Sequence, residues 1–199
     1  MKPRTMTHMT TFLTRYAQMA HLKPAIEDAV ATICAVAKRD GLILIGGNGG
    51  SAADSEHMAG ELVKSFVLKR PVSVGGLSLQ SGLRCIPLSG FPGFATAFAN
   101  DCDGNLTYAQ LINVFGRAGD VFVAFSTSGN SKNVLAAAAV ARAKKVKIIA
   151  LTGAGGGQLR EYADILLNVP SDITYQIQEL HLPIYHLICL MVESELFAE

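Results

Sequence analysis

Tryptophan is absent and charge is scarce: 17% of the 199 residues are Asp, Glu, Lys or Arg, while half are hydrophobic. A disordered chain needs the opposite balance, so this one has the material for a sizeable core. No excess of either sign exists, since 17 Lys and Arg face 16 Asp and Glu, for a formal charge of +1. That argues against a nucleic-acid binder, which carries a basic excess or stripe. Phosphate can still be held locally, because a helix N-terminus needs no net charge. Cysteine pairs of the Cys-x-x-Cys kind are missing, and Cys34, Cys85, Cys102 and Cys189 read as free thiols in a reducing compartment. The opening stretch MKPRTMTHMTTFLTRY lacks the continuous apolar region of a secretory signal. No uninterrupted apolar run reaches the ~18 residues of a membrane span. These absences lead to the expectation of a cytoplasmic protein with no membrane partner.

Length bounds the rest. One domain typically takes about 100–200 residues, so a single domain over residues 1–199 is expected. A mean hydropathy of +0.32 is high, and fits apolar surface buried between subunits or a large core. Apolar residues recur at three- and four-residue spacing over 6–22 (Met9, Phe12, Leu13, Tyr16, Met19), which predicts an amphipathic helix. Pro24 suits the first turn of a second helix, with Ile26, Val30 and Ile33 on one stripe and Gly41 as its stop. These two helices, about 1–40, precede the main unit and are candidates for subunit packing.

From there strands and helices alternate. Residues 42–45, 120–125, 146–151 and 164–168 read as short buried strands, with helices predicted from Ser51 to about Phe66, from 132 to 144, and from 174 to 196. Residues 67–93 are dense in Gly and Pro and carry possible strands near 72–79 and 85–89; helices follow near 95–100 and 106–115. The alternation predicts a doubly wound, flavodoxin-like α/β fold: a parallel sheet of about five strands flanked by helices.

Four clusters carry chemistry. Gly46-Gly47-Asn48-Gly49-Gly50-Ser51 joins a strand to a helix and lets a ligand approach main-chain N–H groups. It matches neither the Gly-x-Gly-x-x-Gly fingerprint nor a P-loop, so a plain tight turn fits it equally well. Ser126-Thr127-Ser128-Gly129-Asn130-Ser131 sets hydroxyls before a helix start, which suits a phosphate ester; capping and turn formation would use the same residues. Its place after a strand, where open α/β sheets bind ligands, favours the first use. His57 and Glu61 stand at i,i+4 on one helix face, able to hold a metal or to set a carboxylate base beside an imidazole, or to be a solvated pair. The last helix carries Gln178, Glu179, His181 and His186 among apolar residues. Gln178 and His186 fall ~80° apart on it and share a flank. Core histidines bonded to backbone remain the alternative, and Pro183 is expected to kink the helix.

Together, GNGGSAADSEHMAGEL (47–62), AND (99–101), GDVFVAFSTSGNSKNV (119–134), IIALTGAGGGQL (148–159) and IQELHLPIYH (177–186) resemble the sugar isomerase (SIS) family, in particular its heptose-phosphate isomerase branch. The stretches span most of the chain beyond residue 41, in the family's order. The resemblance implies an SIS fold and an aldose–ketose isomerase acting on sedoheptulose 7-phosphate. It implies that Asn48, Gly49, Gly50 and Ser51 line the sugar-phosphate pocket. Asn100 and Asp101 would touch substrate, and Ser126, Thr127, Ser128 and Ser131 would hold the phosphate. His57, Glu61, Gln178 and His186 match positions that hold zinc in many members, Gln178 also facing substrate, and Glu61 and His186 match the acid/base pair. It further implies a homotetramer with sites near subunit boundaries.

The chain also departs from that pattern. Residues 67–82 are longer than the usual connection, and CIPLSGFPGF (85–94) replaces a strand followed by a Thr/Ser-Asp turn. Tyr175-Gln176 replaces a common Ala/Thr-Arg. Pro87 moves its strand toward an edge or bulge. The readings left open are isomerisation of another phosphosugar and a non-catalytic, phosphosugar-binding regulatory role.

Overall fold

Every residue of Ile43–Gly46 (β1) is buried, as a central parallel strand covered on both faces requires. The computed structural model describes residues 1–197 and places β1 beside three other strands of the same kind: Val121–Phe125 (β5), Lys147–Thr152 (β6) and Ile165–Asn168 (β7). Cys85–Pro87 (β4) completes the sheet, in the spatial order β4-β1-β5-β6-β7, all parallel. Counting only these strands along the chain, the order is 2-1-3-4-5, the flavodoxin-like arrangement expected above. Pro87 pairs with Ile45 at the sheet margin, where its missing N–H removes no inner ladder bond.

Alternation along the strands builds two cores. Ile43, Ile45, Val121, Val123 and Phe125 face Lys23–Lys38 (α2), Gly50–Lys64 (α3) and Thr174–Phe197 (α7). Leu44, Phe122, Ala124, Ile148 and Ala150 face Thr107–Phe115 (α5) and Lys132–Ala143 (α6). The predicted helix over 6–22 is two pieces: Pro3–Arg15 (α1) ends at Tyr16, and a 3₁₀ segment runs Ala17–Leu22. Met9 and Phe12 of α1 are buried against α7 of the same chain, so that apolar stripe is already used within the chain. Outward, α1 shows Thr7, Thr10, Thr11 and Thr14, each hydroxyl bonded back along its own helix.

Residues 67–93 hold the main difference from expectation. The single strand predicted near 72–79 is an antiparallel hairpin, Pro71–Val74 (β2) and Leu77–Gln80 (β3), outside the main sheet. It reverses at Gly75-Gly76, both at positive φ, as a two-residue turn of type I′ needs. Pro92–Asp101 (α4) follows β4 after one 3₁₀ turn.

Pro183 lies inside α7, which continues unbroken from 174 to 197. Among the described residues, α7 alone is long and apolar enough by length and composition to cross a membrane. More than half of that window is buried in the protein, which makes it the core helix of this fold. His181 sits at its centre, fully buried, with Nε2 3.3 Å from the Thr152 carbonyl and Nδ1 without a partner. Burial pushes this imidazole down to about 4, only partly offset by the Thr152 carbonyl. The unfolded chain takes up a proton near pH 6.5 and the folded chain only near 4, so the stability His181 confers is full above pH 6.5 and is lost as pH falls toward 4. At ~1.4 kcal/mol per pH unit, the loss amounts to roughly 3 kcal/mol. Urea unfolding of the native protein and of His181→Gln between pH 4 and 7 is expected to show a steep slope for the first and a flatter one for the second.

Candidate active site

The strand order reverses between β1 and β5, and the crevice outside their carboxyl ends is where this fold binds ligands. The glycine turn leaves β1 there and the serine loop leaves β5. Their rims are joined by a reciprocal amide pair: Asn48 and Asn133 each donate from Nδ2 to the other's Oδ1, at 2.8 Å. Beneath the turn, the buried Tyr108 hydroxyl of α5 donates to the Gly47 carbonyl at 2.5 Å.

Ser126 Oγ and Ser131 Oγ lie 3.0 Å apart, and Ser128 Oγ accepts from the Asn130 N–H. A second glycine loop supports this one from below: Gly153 N–H donates to the Thr127 carbonyl and Leu159 N–H to the Gly129 carbonyl, both at 2.9 Å. Ser131 is the N-cap of α6 and its own side chain makes no capping bond, while Asn133 Oδ1 accepts from the Val134 N–H at 3.0 Å. Hydroxyls and free helix N–H groups therefore meet at one spot, a fit for a phosphate dianion. The sequence also offered capping as the use of these serines; only Ser128 makes such a local bond to backbone N–H.

Gly50 opens α3 with the Gln178 side chain lying on it; a Cβ there would stand 2.7 Å from Gln178 Nε2 and would push that side chain aside. One turn and more beyond, His57 and Glu61 line the same helix. His57 Nε2 is 3.3 Å from Glu61 Oε1 and 3.5 Å from His186 Nε2. Glu61 is nearly buried, and its other oxygen accepts from Lys64 Nζ at 2.6 Å. His186 is half-buried between His57 and the Phe66 ring. Burial holds its imidazole below the ordinary histidine range, His57 adds to that, and Glu61 opposes it. A neutral His186 can give or take a proton at neutral pH.

His57 and Glu61, predicted as an i,i+4 pair, are thus joined by His186 from a separate stretch, while Gln178 lies against the glycine turn. Asn100 and Asp101 do not join either group by a hydrogen bond among the described residues. They lie exposed at the end of α4, where Asn100 Nδ2 donates to Asp101 at 2.8 Å. Side chains the motifs did not single out are Lys64 on Glu61, Phe66 on His186, Asn133 on Asn48, and Tyr185, whose hydroxyl is 3.0 Å from His57 Nδ1. Only Lys64, three residues after Glu61, had a spacing signal.

Zinc is tested by the donors themselves. Among the described residues no three His, Cys, Asp or Glu side chains form a ready metal cage. The donor types are those zinc prefers, and bonds of roughly 2.1 Å would set neighbouring donors about 3.4 Å apart. The two His57 distances of 3.3 and 3.5 Å match that spacing. His57, Glu61 and His186 therefore fit zinc in donor chemistry and in these two separations, while Gln178 lies on Gly50. Beside it, a cavity of about 450 Å³ between α1 and α7 reaches His186, Phe66 and Glu179. A larger hollow of about 880 Å³ opens around Arg39, Leu42 and Asp120, at the amino ends of the strands, away from every group described here.

Phosphate-suited loops at the switch point, with a carboxylate–imidazole cluster further along the helix that leaves one of them, suit a protein that handles sugar phosphates. The chain belongs to the SIS-domain family, whose model matches residues 8–153. Within that family it is similar to phosphoheptose isomerases. The one from Rhodospirillum rubrum is 39% identical over 181 residues, 91% of each chain. The solved structure of phosphoheptose isomerase GmhA from Neisseria gonorrhoeae superposes with a TM-score of 0.78 at 33% identity, covering 96% of this chain and 97% of that one. A phosphoheptose isomerase from Francisella tularensis gives 0.81 at 29% identity, over 94% and 95%.

Proposed function

We propose that this chain isomerises sedoheptulose 7-phosphate to the corresponding aldose, D-glycero-D-manno-heptose 7-phosphate, with Glu61 as base and His186 as acid/base partner. The observation that supports the reading is the meeting of Glu61 and His186 around His57, with Glu61 and His57 on the helix that leaves the glycine turn. The phosphoheptose isomerase relatives supply the substrate class.

The reaction moves a proton between C1 and C2 through a cis-enediolate. Glu61, held by Lys64, takes the proton from one carbon and returns it to its neighbour. Neutral His186 moves the matching proton between the two oxygens. Ser126, Thr127, Ser128, Ser131 and the α6 N-terminus hold the phosphate, so that remote binding energy orients the reacting carbons. Asn48, Gly49, Gly50, Ser51 and Gln178 bound the sugar between these ends, and Asn100 and Asp101 at the end of α4 touch it. Zinc held by His57, Glu61, Gln178 and His186 would supply a Lewis acid for the developing oxyanion.

The proposal includes a single cytoplasmic domain that assembles as a homotetramer, without nucleic-acid or membrane partners. Exposed Val72, Val74, Leu77 and Leu79 on the hairpin support association, since an isolated two-stranded hairpin is marginal in water. Helices 1–40 share in that assembly through their outer surface. A second reading, isomerisation of a different phosphosugar, is favoured by the hairpin and by the 3₁₀ turn at Leu88–Gly90, which stands where the family pattern has a Thr/Ser-Asp turn.

Purified protein is expected to convert sedoheptulose 7-phosphate and to leave unphosphorylated sedoheptulose untouched. Prior treatment with a chelator is expected to lower the rate, and added zinc to restore it. Conversion of another ketose phosphate alone would select the second reading, and no conversion of any would leave the binding role.

A further inference from the structure

Tyr185 is fully buried, with its ring edge-on to Phe125, His57 and His186. A buried tyrosine hydroxyl needs a partner, and one would satisfy it. Here two acceptor-capable groups converge on the one oxygen: Asp54 Oδ1 at 3.2 Å and His57 Nδ1 at 3.0 Å. The chain of contacts then continues from His57 Nε2 to Glu61 and His186.

The hydroxyl has a single proton, so only one of the two contacts can be its donation. An ionised Asp54 can only accept, so the proton belongs on the Asp54 side. The tyrosine oxygen is then free to accept, and His57 Nδ1 must carry a hydrogen to reach it. We infer that Asp54 and Tyr185 are positioning residues that fix His57 in its Nδ1–H tautomer and leave the Nε2 lone pair aimed at the Glu61–His186 cluster. The arrangement does for His57 what a carboxylate does for a metal-ligating histidine, with a tyrosine hydroxyl placed between the two. It gives His57 a fixed ring orientation and an Nε2 that can accept the His186 Nε2–H or a Lewis acid, but cannot donate to Glu61. Glu61 Oε1 therefore stays free of a histidine proton and able to act as base. The inference rests on the isomerase reading for its consequence in catalysis, but not for the tautomer itself.

The two are separated by reading the tautomer directly. ¹⁵N-histidine labelling of the full-length protein, with the His57 signals assigned by difference from His57→Gln, reports which ring nitrogen is protonated. The native protein is expected to show the Nδ1–H tautomer. In Tyr185→Phe, which keeps the ring and removes the hydroxyl, a mixture is expected. In Asp54→Asn the amide can donate to the tyrosine oxygen, so Tyr185 can donate to Nδ1, and a shift to the Nε2–H tautomer is expected. Zinc affinity, measured by competition with a chromogenic chelator, is expected to fall by about 10–100-fold in both variants. Turnover should fall through kcat with KM little changed. An Nε2–H tautomer in the native protein, or an unchanged His57 spectrum in both variants, would overturn the relay. Normal tautomer behaviour in a protein that isomerises no sugar phosphate would sustain the relay and remove the isomerase reading instead.

Discussion

Glu61→Gln is expected to lower kcat for the heptose phosphate by about 10²–10⁴-fold, the usual worth of a positioned general base. KM, fold and assembly should change little. The reason lies in what the amide keeps. Glu61 is nearly buried on α3 and receives the Lys64 ammonium on Oε2 at 2.6 Å. A glutamine oxygen can accept that same bond at the same place, so the helix and its packing are undisturbed. What is lost is the lone pair that takes a proton from carbon. The serine loop at Ser126–Ser131, proposed to hold the phosphate, lies on a different element and is untouched, and substrate should still bind. Steady-state kinetics with isothermal titration of substrate onto the variant separates the two. A variant that turns over at the native rate would remove Glu61 from the proton transfer. A variant that no longer binds would make it a substrate ligand instead.

Much of this arrangement is legible in the amino-acid order because burial imposes it. β1, β5 and β6 are covered on both sides, so they appear as continuous apolar runs, and the helices between them carry a clear period. The glycine and serine turns could be placed at strand ends for the same reason. The hairpin was not legible. Its eight strand residues are all exposed, so no core demanded an alternation strong enough to set its register. In the site, spacing alone joined His57 to Glu61. The meeting with His186 depends on how α3 lies against α7, which no local pattern encodes. Tyr185 shows the limit most clearly. It precedes His186 by one residue, about 100° around the helix, and nothing in its neighbours tells that its hydroxyl reaches Asp54 and His57. Asn100 and Asp101 illustrate the converse: a matching motif whose two side chains lie exposed at the end of α4 and bond to each other, which the motif alone does not tell.

Glu193→Ala is expected to cost about 3–5 kcal/mol of stability, the range for breaking a buried charged partner. The chain leaves α3 through Ser65 at φ +93, an unfavourable angle for a residue with a side chain. The next three N–H groups, of Phe66, Val67 and Leu68, all donate to the Glu193 carboxylate, at 2.8, 2.8 and 2.9 Å. Buried Arg70 adds its charge at 3.5 Å, though its Nε makes no hydrogen bond. One side chain on α7 thus holds the segment that presents Phe66 to His186 and then runs into the hairpin. Removing it leaves three donors and a cation without their acceptor. Arg70→Met should cost much less, because the carboxylate keeps its three N–H partners and the new side chain is apolar. Urea unfolding gives both numbers, and amide hydrogen exchange at 66–68 gives the local effect: fast in Glu193→Ala, still slow in Arg70→Met. A larger loss for Arg70→Met than for Glu193→Ala would make the ion pair, and not the backbone clasp, the element that fixes this segment over the site.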